Sequence, residues 1–573
     1  VTGTSDERAL ATRLSGMDAD ALAELLVDRG VAASVTWIDA FDAAEALLDP
    51  VSIDSALRGL SRDDLRALAA GTPAARPAAL ALARSDGTPY AAVAARLEAA
   101  RAAHPDAFAA VSAPADPAAA DQPEAGAAAE RAAAAVASLA DILAASRVRP
   151  LTTTAAESVT AADRRHLVDE GVIAEASDLD DLITAAAAAR LVVLRDREWR
   201  LTVVGDAWLM RDAVARWVEV ATGLVALLPR DRTGRILPPD AWAGSLPLDP
   251  SAPVRAEALR RVLVRWGLLT ADGSAPAWSA GVWRPTAASG SAAGLDAGAL
   301  AAMLTPEIAG IYLQADLSAI APGPLEPALD LRLRTMAERE SRAQASTYRF
   351  SEQSLAGAVA LGETAETLRE FLGALSLTGI PQPLDYLIDQ VTSARGVLRV
   401  GTDAPTGRAR IDGDDPHLLD MLLVDRTLRP LGLQESGDAL TSRVSRDAVF
   451  WSLADARYRV VALDADGRPE PLNRRRPLVD PEDAPTGDDR RALAERLLAG
   501  RGDSDAAWLE RELDQAVRLR APVILTVLLP DGSTRELQVE AQGLGGGRFR
   551  GLDRAADVER TVPLASIASV RPA

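Results

Sequence analysis

A chain of 573 residues is too long for one hydrophobic core and implies several compact units joined by linkers. Hydrophobic content of 48% beside 25% charged residues excludes a mostly disordered chain, and a formal net charge of −20 excludes a surface that is basic throughout. There are no cysteines, which removes disulfides, thiolate nucleophiles and cysteine-ligated metal sites, and all 62 basic residues are arginine, which removes the lysine of a phosphate-binding loop.

No apolar run reaches the roughly 18 residues of a membrane span, so a soluble chain with no membrane partner is expected. Residues 1–13 lack the basic-then-apolar order of a secretory leader, and the expected location is the cytoplasm. His104, His166 and His417 stand far apart, so neither a metal nor any other cofactor is expected.

In chain order, residues 1–103 read as a helical domain: Ala21-Leu22 and Leu25-Leu26 recur at helical spacing, and Ser61 caps a helix over 62–70. Residues 104–133, rich in Ala and Pro, read as a linker. Over 134–215 the pattern predicts helices at 136–145, 161–170 and 178–189, then strands at 191–195 and 199–204, the order of a winged helix. The turn is expected at Asp196-Arg197-Glu198, with Arg195, Arg197 and Arg200 on the wing and Trp199 beneath them.

Residues 216–295 read as a helical segment, including a helix over 255–266, and then a linker from 274. For 296–402 the expectation is a second winged-helix-like plan: a strand at 308–317, a Pro-Gly turn, a charged helix over 326–341, a strand at 346–350, three helices and a strand at 397–400. Residues 403–468 predict a small α/β unit and 469–488 a third linker, and 489–573 predict a helix followed by a small β-barrel. The fold class expected is therefore mainly α with α+β parts, multidomain, with tandem winged-helix-like units.

Two stretches carry a family resemblance. Tyr312-Leu313-Gln314-Ala315-Asp316-Leu317, followed by Ala321-Pro322-Gly323-Pro324-Leu325, resembles the opening of the helicase-associated domain that precedes the motor of XPB-type helicases. Thr347-Tyr348-Arg349-Phe350 and Ile380-Pro381-Gln382-Pro383-Leu384 are similar to that domain's Thr-Tyr-Arg strand and Pro-Gln-Pro-Leu helix start, in the same order. The whole chain resembles stand-alone actinobacterial helicase-associated proteins that carry no motor. Its C-terminal part resembles a WYL module in layout, although Val527-Leu528-Leu529 stands where the Trp-Tyr-Leu element belongs. The resemblance supplies no catalytic residue.

Arg195, Arg197 and Arg200, with Trp199, are the candidate nucleic-acid contacts, because guanidinium forks match phosphate geometry; solvated strand residues are the plainer alternative. Arg474-Arg475-Arg476 is a tether or an ordinary solvated run. Asp180-Asp181, Asp414-Asp415 and Asp488-Asp489 lie near expected helix starts and read as caps, and Gly545-Gly546-Gly547 reads as a hairpin turn. For Trp199, Trp208, Trp217, Trp266, Trp278 and Trp283 core packing is a plainer reading than base stacking. The expected function is that of a non-enzymatic, helicase-associated accessory protein in DNA repair or transcription. Its expected partners are DNA, through local arginine patches, and a helicase or other protein; a protein scaffold is the alternative and an ATP-dependent helicase ranks last.

Overall fold

The computed structural model describes residues 3–110, 115–155, 158–173, 175–231, 233–284, 294–342, 345–392, 397–403, 406–468, 470, 472, 478–480, 488–499, 505–529, 532–554 and 556–573. About half the chain is helical and about a fifth is strand, in four sheets among the described residues. Two compact units are built from interleaved segments: Val1–Asp116, Pro229–Arg260 and Pro485–Ala573 in the first, Pro117–Leu228 and Arg261–Ala484 in the second.

Seven helices open the chain: α1 (Gly3–Ser15), α2 (Ala19–Asp28), α3 (Ala40–Leu47), α4 (Pro50–Arg58), α5 (Arg62–Ala69), α6 (Ala75–Ala79) and α7 (Ala91–Ala103). Asp18, Asp39, Asp49 and Ser61 each accept a backbone N–H of the first turn they precede, which fixes where α2 to α5 begin. Leu22, Leu26, Phe41, Ile53, Leu57 and Leu65 then meet in one core. Arg29 is buried there, donating to the carbonyls of Leu80 (2.8 Å) and Leu47 (2.5 Å) and to Ser52 Oγ (2.7 Å), and burial lowers its pKa to about 10.

Helix α8 (Gln122–Ser146) begins inside the stretch expected to be a linker. Asp121 caps it at the Glu124 N–H, Pro123 suits its first turn, and its alanines combine high helix propensity with a small profile that lets Ala128, Ala129 and Ala132 bury. Strand β1 (Leu151–Thr152), α9 (Ala161–Asp169), α10 (Leu179–Ala188), β2 (Val192–Arg195) and β3 (Glu198–Leu201) follow, the strands forming an antiparallel sheet in the order β1-β3-β2.

Next come α11 (Val203–Trp208), α12 (Ala213–Ala226), α13 (Pro239–Trp242), α14 (Ala252–Arg265), α15 (Ala280–Trp283) and α16 (Ala297–Ala301). The part of the expected 274–295 linker that is described is packed: Trp278 and Trp283 are each 2% exposed. Their anchor is the end of α14, where Gly267 (φ +62°) reverses the chain and the Leu268 N–H reaches the Leu263 carbonyl at 2.9 Å. The Trp217 indole donates to the Trp266 carbonyl and the Trp278 indole to the Gly267 carbonyl, both at 2.7 Å.

From residue 312 the expected second winged-helix plan gives way to a different order. Strands β4 (Tyr312–Leu313) and β5 (Ser318–Ala321) form a hairpin, α17 (Pro327–Leu333) is short, and β6 (Glu338–Arg342) and β7 (Ser346–Arg349) complete an antiparallel sheet ordered β4-β5-β7-β6. The helix expected over 326–341 thus stops at Leu333, because its second half is captured by β7: Glu338 pairs in register with Arg349 and Arg339 with Tyr348. Helices α18 (Glu352–Ala360), α19 (Ala365–Leu375) and α20 (Gln382–Thr392) follow the sheet instead of interrupting it. The strand expected at 397–400 joins the next sheet.

That sheet contains β8 (Leu398–Thr402), β9 (Ala409–Gly413), β10 (Gln434–Ser436), β11 (Ala439–Ser442) and β12 (Val460–Ala462), ordered β10-β11-β9-β8-β12, with α21 (Pro416–Val424) and α22 (Arg446–Asp455) between strands. Among the described strands, β12 on β8 is the one parallel pair. Arg474, Arg475 and Arg476 lie outside the described residues.

The first unit is completed by α23 (Asp488–Ala499), whose Leu493, Ala494 and Leu497 enter the N-terminal core against α2, and by α24 (Asp505–Leu519). Strands β13 (Pro522–Leu528), β14 (Thr534–Gly545), β15 (Arg548–Asp553), β16 (Val558–Pro563) and β17 (Ile567–Pro572) form an antiparallel sheet ordered β16-β15-β14-β13-β17. The expected closed barrel is corrected: among the described residues the end strands β16 and β17 do not pair, and the sheet stays open. Its apolar face, including Leu525, Val539 and Phe549, is covered by Leu509, Leu513 and Ala516 of α24, so a helix does the burying that barrel closure would otherwise do. Gly546 and Gly547, at φ +59° and +71°, make the β14–β15 hairpin turn.

Candidate functional site

The hairpin β2–β3 carries the residues expected to touch nucleic acid. Arg195 stands opposite Glu198 in the ladder, so the turn has two residues, Asp196 and Arg197, at φ +51° and +62°, and Glu198 belongs to the strand. Positive φ at both positions is the type I′ geometry whose twist matches a tight hairpin.

The four side chains do not form one free basic cluster. Arg200 is held within the hairpin, 3.2 Å from Glu198 and 3.5 Å from Asp196. At the exposed tip, Arg197 donates to the Thr153 carbonyl at 3.3 Å, while its own carbonyl accepts the Thr153 N–H at 2.8 Å. Arg195 is half-buried. Trp199 lies in register between Leu151 and Leu194, half-buried, with its indole N–H enclosed and unpartnered among the described residues.

Helix α10, which leads into this hairpin, is buried along most of its length at Leu179, Asp181, Leu182, Ile183, Ala185 and Ala186, and it packs on α8 and α12. The crossing with α12 is close because Gly223 has no side chain: a Cβ there would sit 2.5 Å from the Ala188 carbonyl oxygen. The helix carries no basic residue. Asp181 is gripped by both forks of Arg261 at 2.9 Å, Asp178 meets Arg265 at 2.5 Å, and Asp180 pairs with Arg164. The acids at 180 and 181 therefore serve as ion-pair anchors, beyond the capping role expected of them.

A second constellation lies under the motif residues and was missed by the sequence reading. Asp141 of α8, 3% exposed, receives Arg334 at 2.8 Å and Arg339 of β6. Tyr348 of β7 donates to Asp330 of α17 at 2.6 Å, and Asp330 lies 3.6 Å from Arg334. Burial, and then the Asp330 carboxylate, push the Tyr348 phenol far above its ordinary range, so it stays a donor. For Arg339 burial opposes the charge, but the Asp141 carboxylate outweighs it and holds the pKa above the ordinary value. The remaining motif residues also do structural work. Arg349 pairs with Glu340, Phe350 is buried and ties its N–H to the Leu317 carbonyl at 2.8 Å, and Leu384 is fully buried at the start of α20. One signal in the sequence marked Asp141: it is the lone acid in the apolar run from Ala132 to Ala145.

Above this network, α8, α11, α17, α18 and α22 enclose an open groove of about 1070 Å³ with Val148, Met210, Leu331, Leu361 and Trp451 on its walls. Its charges are already matched: Arg147 with Asp206 at 2.7 Å, and Arg332 with Glu363 at 2.9 Å. Among the described residues no helix is long and apolar enough to cross a membrane.

With the geometry in place, comparison with known families gives one result: residues 311–437, from the start of β4 to the turn after β10, match the family described as helicase conserved C-terminal domain. This segment, less than a quarter of the chain, is helicase-related. No curated protein matches the chain.

Proposed function

We propose that the chain is a non-catalytic, helicase-associated accessory protein of DNA repair or transcription that acts mainly through a protein partner, a helicase foremost. The family match at 311–437 supports the helicase connection. Its specific form, a domain like the one preceding the motor of XPB-type helicases, rests on the three motifs that converge on β4–β5, β7 and α20. The ladders within 311–437 are antiparallel among the described strands, whereas a nucleotide-binding motor lobe is built from parallel strands joined by crossovers; this, with the absence of lysine, supports a role without a motor. The C-terminal sheet with its preceding helix is compatible with a WYL-like layout that is open in place of closed.

One observation carries the preference for a protein partner. The order α8, β1, α9, α10, β2, β3 supports a winged-helix reading, and in that fold the position of α10 is the one that enters the major groove. Here α10 is acidic, packed against α8 and α12, and ion-paired to Arg261 and Arg265. A helix so occupied has neither the free face nor the charge to read base edges. The test is affinity capture of the tagged full chain with and without nuclease: a helicase retained after nuclease treatment is the expected result, and loss of every partner on treatment would overturn the reading.

A second reading, direct DNA binding, is favoured by the exposed Arg197 at the hairpin tip, whose guanidinium meets a backbone carbonyl among the described residues. It would use backbone contacts alone and be strongly salt-dependent.

A further inference from the structure

The seam between α1 and α24 holds an acid pair in an unusual setting. Glu7 of α1 and Glu512 of α24 are 9% and 3% exposed. Three oxygens there, Glu7 Oε2, Glu512 Oε2 and Gln515 Oε1, are enclosed yet have no hydrogen-bond partner among the described residues. All three are acceptors, so these three atoms cannot satisfy one another, although the Gln515 amide nitrogen does donate to Glu7.

The neighbouring charges relieve them only in part, through Arg8 acting on Glu512. Arg8 approaches Glu512 only to 4.0 Å, with 38% of its side chain exposed. Asp6 is taken up by Arg84 and by the Ala91 N–H at the start of α7, and Arg511 by Asp39 and Asp42 beside α3. Arg518 of α24 is 76% exposed and pairs with Asp514, and Arg571 of β17 pairs with Glu536. The groups acting on Glu7 are Gln515, which hydrogen-bonds to it, and the acids Glu45 of α3, Asp6 and Glu512. One proton resolves the conflict: on Glu7 Oε2 it turns an unpartnered acceptor into a donor and removes one of the adjoining negative charges.

We propose that this seam is a proton-operated clasp, in which protonated Glu7 fastens α24 and the sheet β13–β17 onto the N-terminal helices and ionised Glu7 loosens them. Burial first, then Glu45, Asp6 and Glu512, outweigh the Gln515 hydrogen bond and push the Glu7 carboxyl up from 4.5 to about 7. A folded-state pKa raised this way makes the proton's contribution complete below the ordinary glutamate value. It is lost as pH climbs from 4.5 towards 7, and levels off above that. In that window the opening constant of the clasp should rise by up to about tenfold per pH unit.

The experiment is hydrogen exchange on the full chain at several values between pH 5 and 8, corrected for intrinsic exchange rates and followed on peptides covering α24 and α1. In the wild type, protection of α24 should fall steeply up to about pH 7 and then flatten; in Glu7→Gln, where the side chain is neutral at every pH and carries its own donor, that fall should be much shallower, the remainder belonging to Glu512, whose own pKa burial raises. Glu512→Gln gives a second arm, since removing the neighbouring charge should move the wild-type midpoint to lower pH. A wild-type profile without the fall, the same fall in Glu7→Gln, or an unmoved midpoint in Glu512→Gln would each overturn the proposal.

Discussion

At the residue scale, Asp141 ties two arginines together within the second unit. It is the shared acceptor for Arg334 and Arg339, and its removal leaves two guanidinium groups in a largely buried seam where, among the described residues, Asp330 lies 3.6 Å from Arg334. Asp141→Ala should therefore cost about 3–5 kcal/mol, read as a lower midpoint of chemical denaturation, where a shift within experimental error would contradict the assignment. Tyr348 belongs to the same network, so Tyr348→Phe should be destabilising as well, by about 1–3 kcal/mol, since Asp330 would keep its charge and lose its donor. Trp199 and Arg200 differ from these: the ring is wedged between Leu151 and Leu194 and the guanidinium is spent inside its own hairpin.

At the element scale, the fit between α10 and α12 depends on a single missing methyl. Gly223→Ala would drive a Cβ to 2.5 Å from the Ala188 carbonyl, closer than van der Waals contact permits, so α12 must shift. A loss of about 1–3 kcal/mol is expected, together with faster hydrogen exchange in α10, and unchanged exchange there would refute the close-crossing account. Elements whose signals are local were legible in the sequence. The Ser61 cap announces α5, and Trp217 and Trp266 lie buried where the sequence reads as a helical segment. Elements settled by distant partners were not legible. Glu338-Arg339-Glu340 has the composition of a helix end and becomes strand only because β7 pairs with it, and Gln122 to Ala133 resembles a linker until its alanines meet the Trp266 region. The arginines of the hairpin were visible as residue types, but their occupation by Glu198, Asp196 and Thr153 is a tertiary fact that no spacing rule reports.

For the whole molecule, charge is the governing quantity. A net −20 repels a polyphosphate at range, and most of the described arginines named above already have carboxylate partners. Duplex, forked and single-stranded DNA titrated against the full chain should give at most weak binding at low salt that disappears near physiological ionic strength. Tight binding at low salt that weakens steeply but measurably as salt rises would favour the DNA reading over the partner reading.

The interleaving of segments also sets an order of events at the ribosome. Helix α2 turns Leu22, Leu25 and Leu26 towards a core that Leu493 and Leu497 of α23 help to finish, so the first hundred residues emerge with an oily seam that their own neighbours cannot fully close. At translation rates of about 5–20 residues per second, the wait between residues 116 and 485 lasts roughly 20–70 s. A nascent chain held that long with a greasy flank is a natural client for a chaperone, and expression of residues 1–116 alone should yield aggregates that co-expression of residues 229–260 and 485–573 reduces.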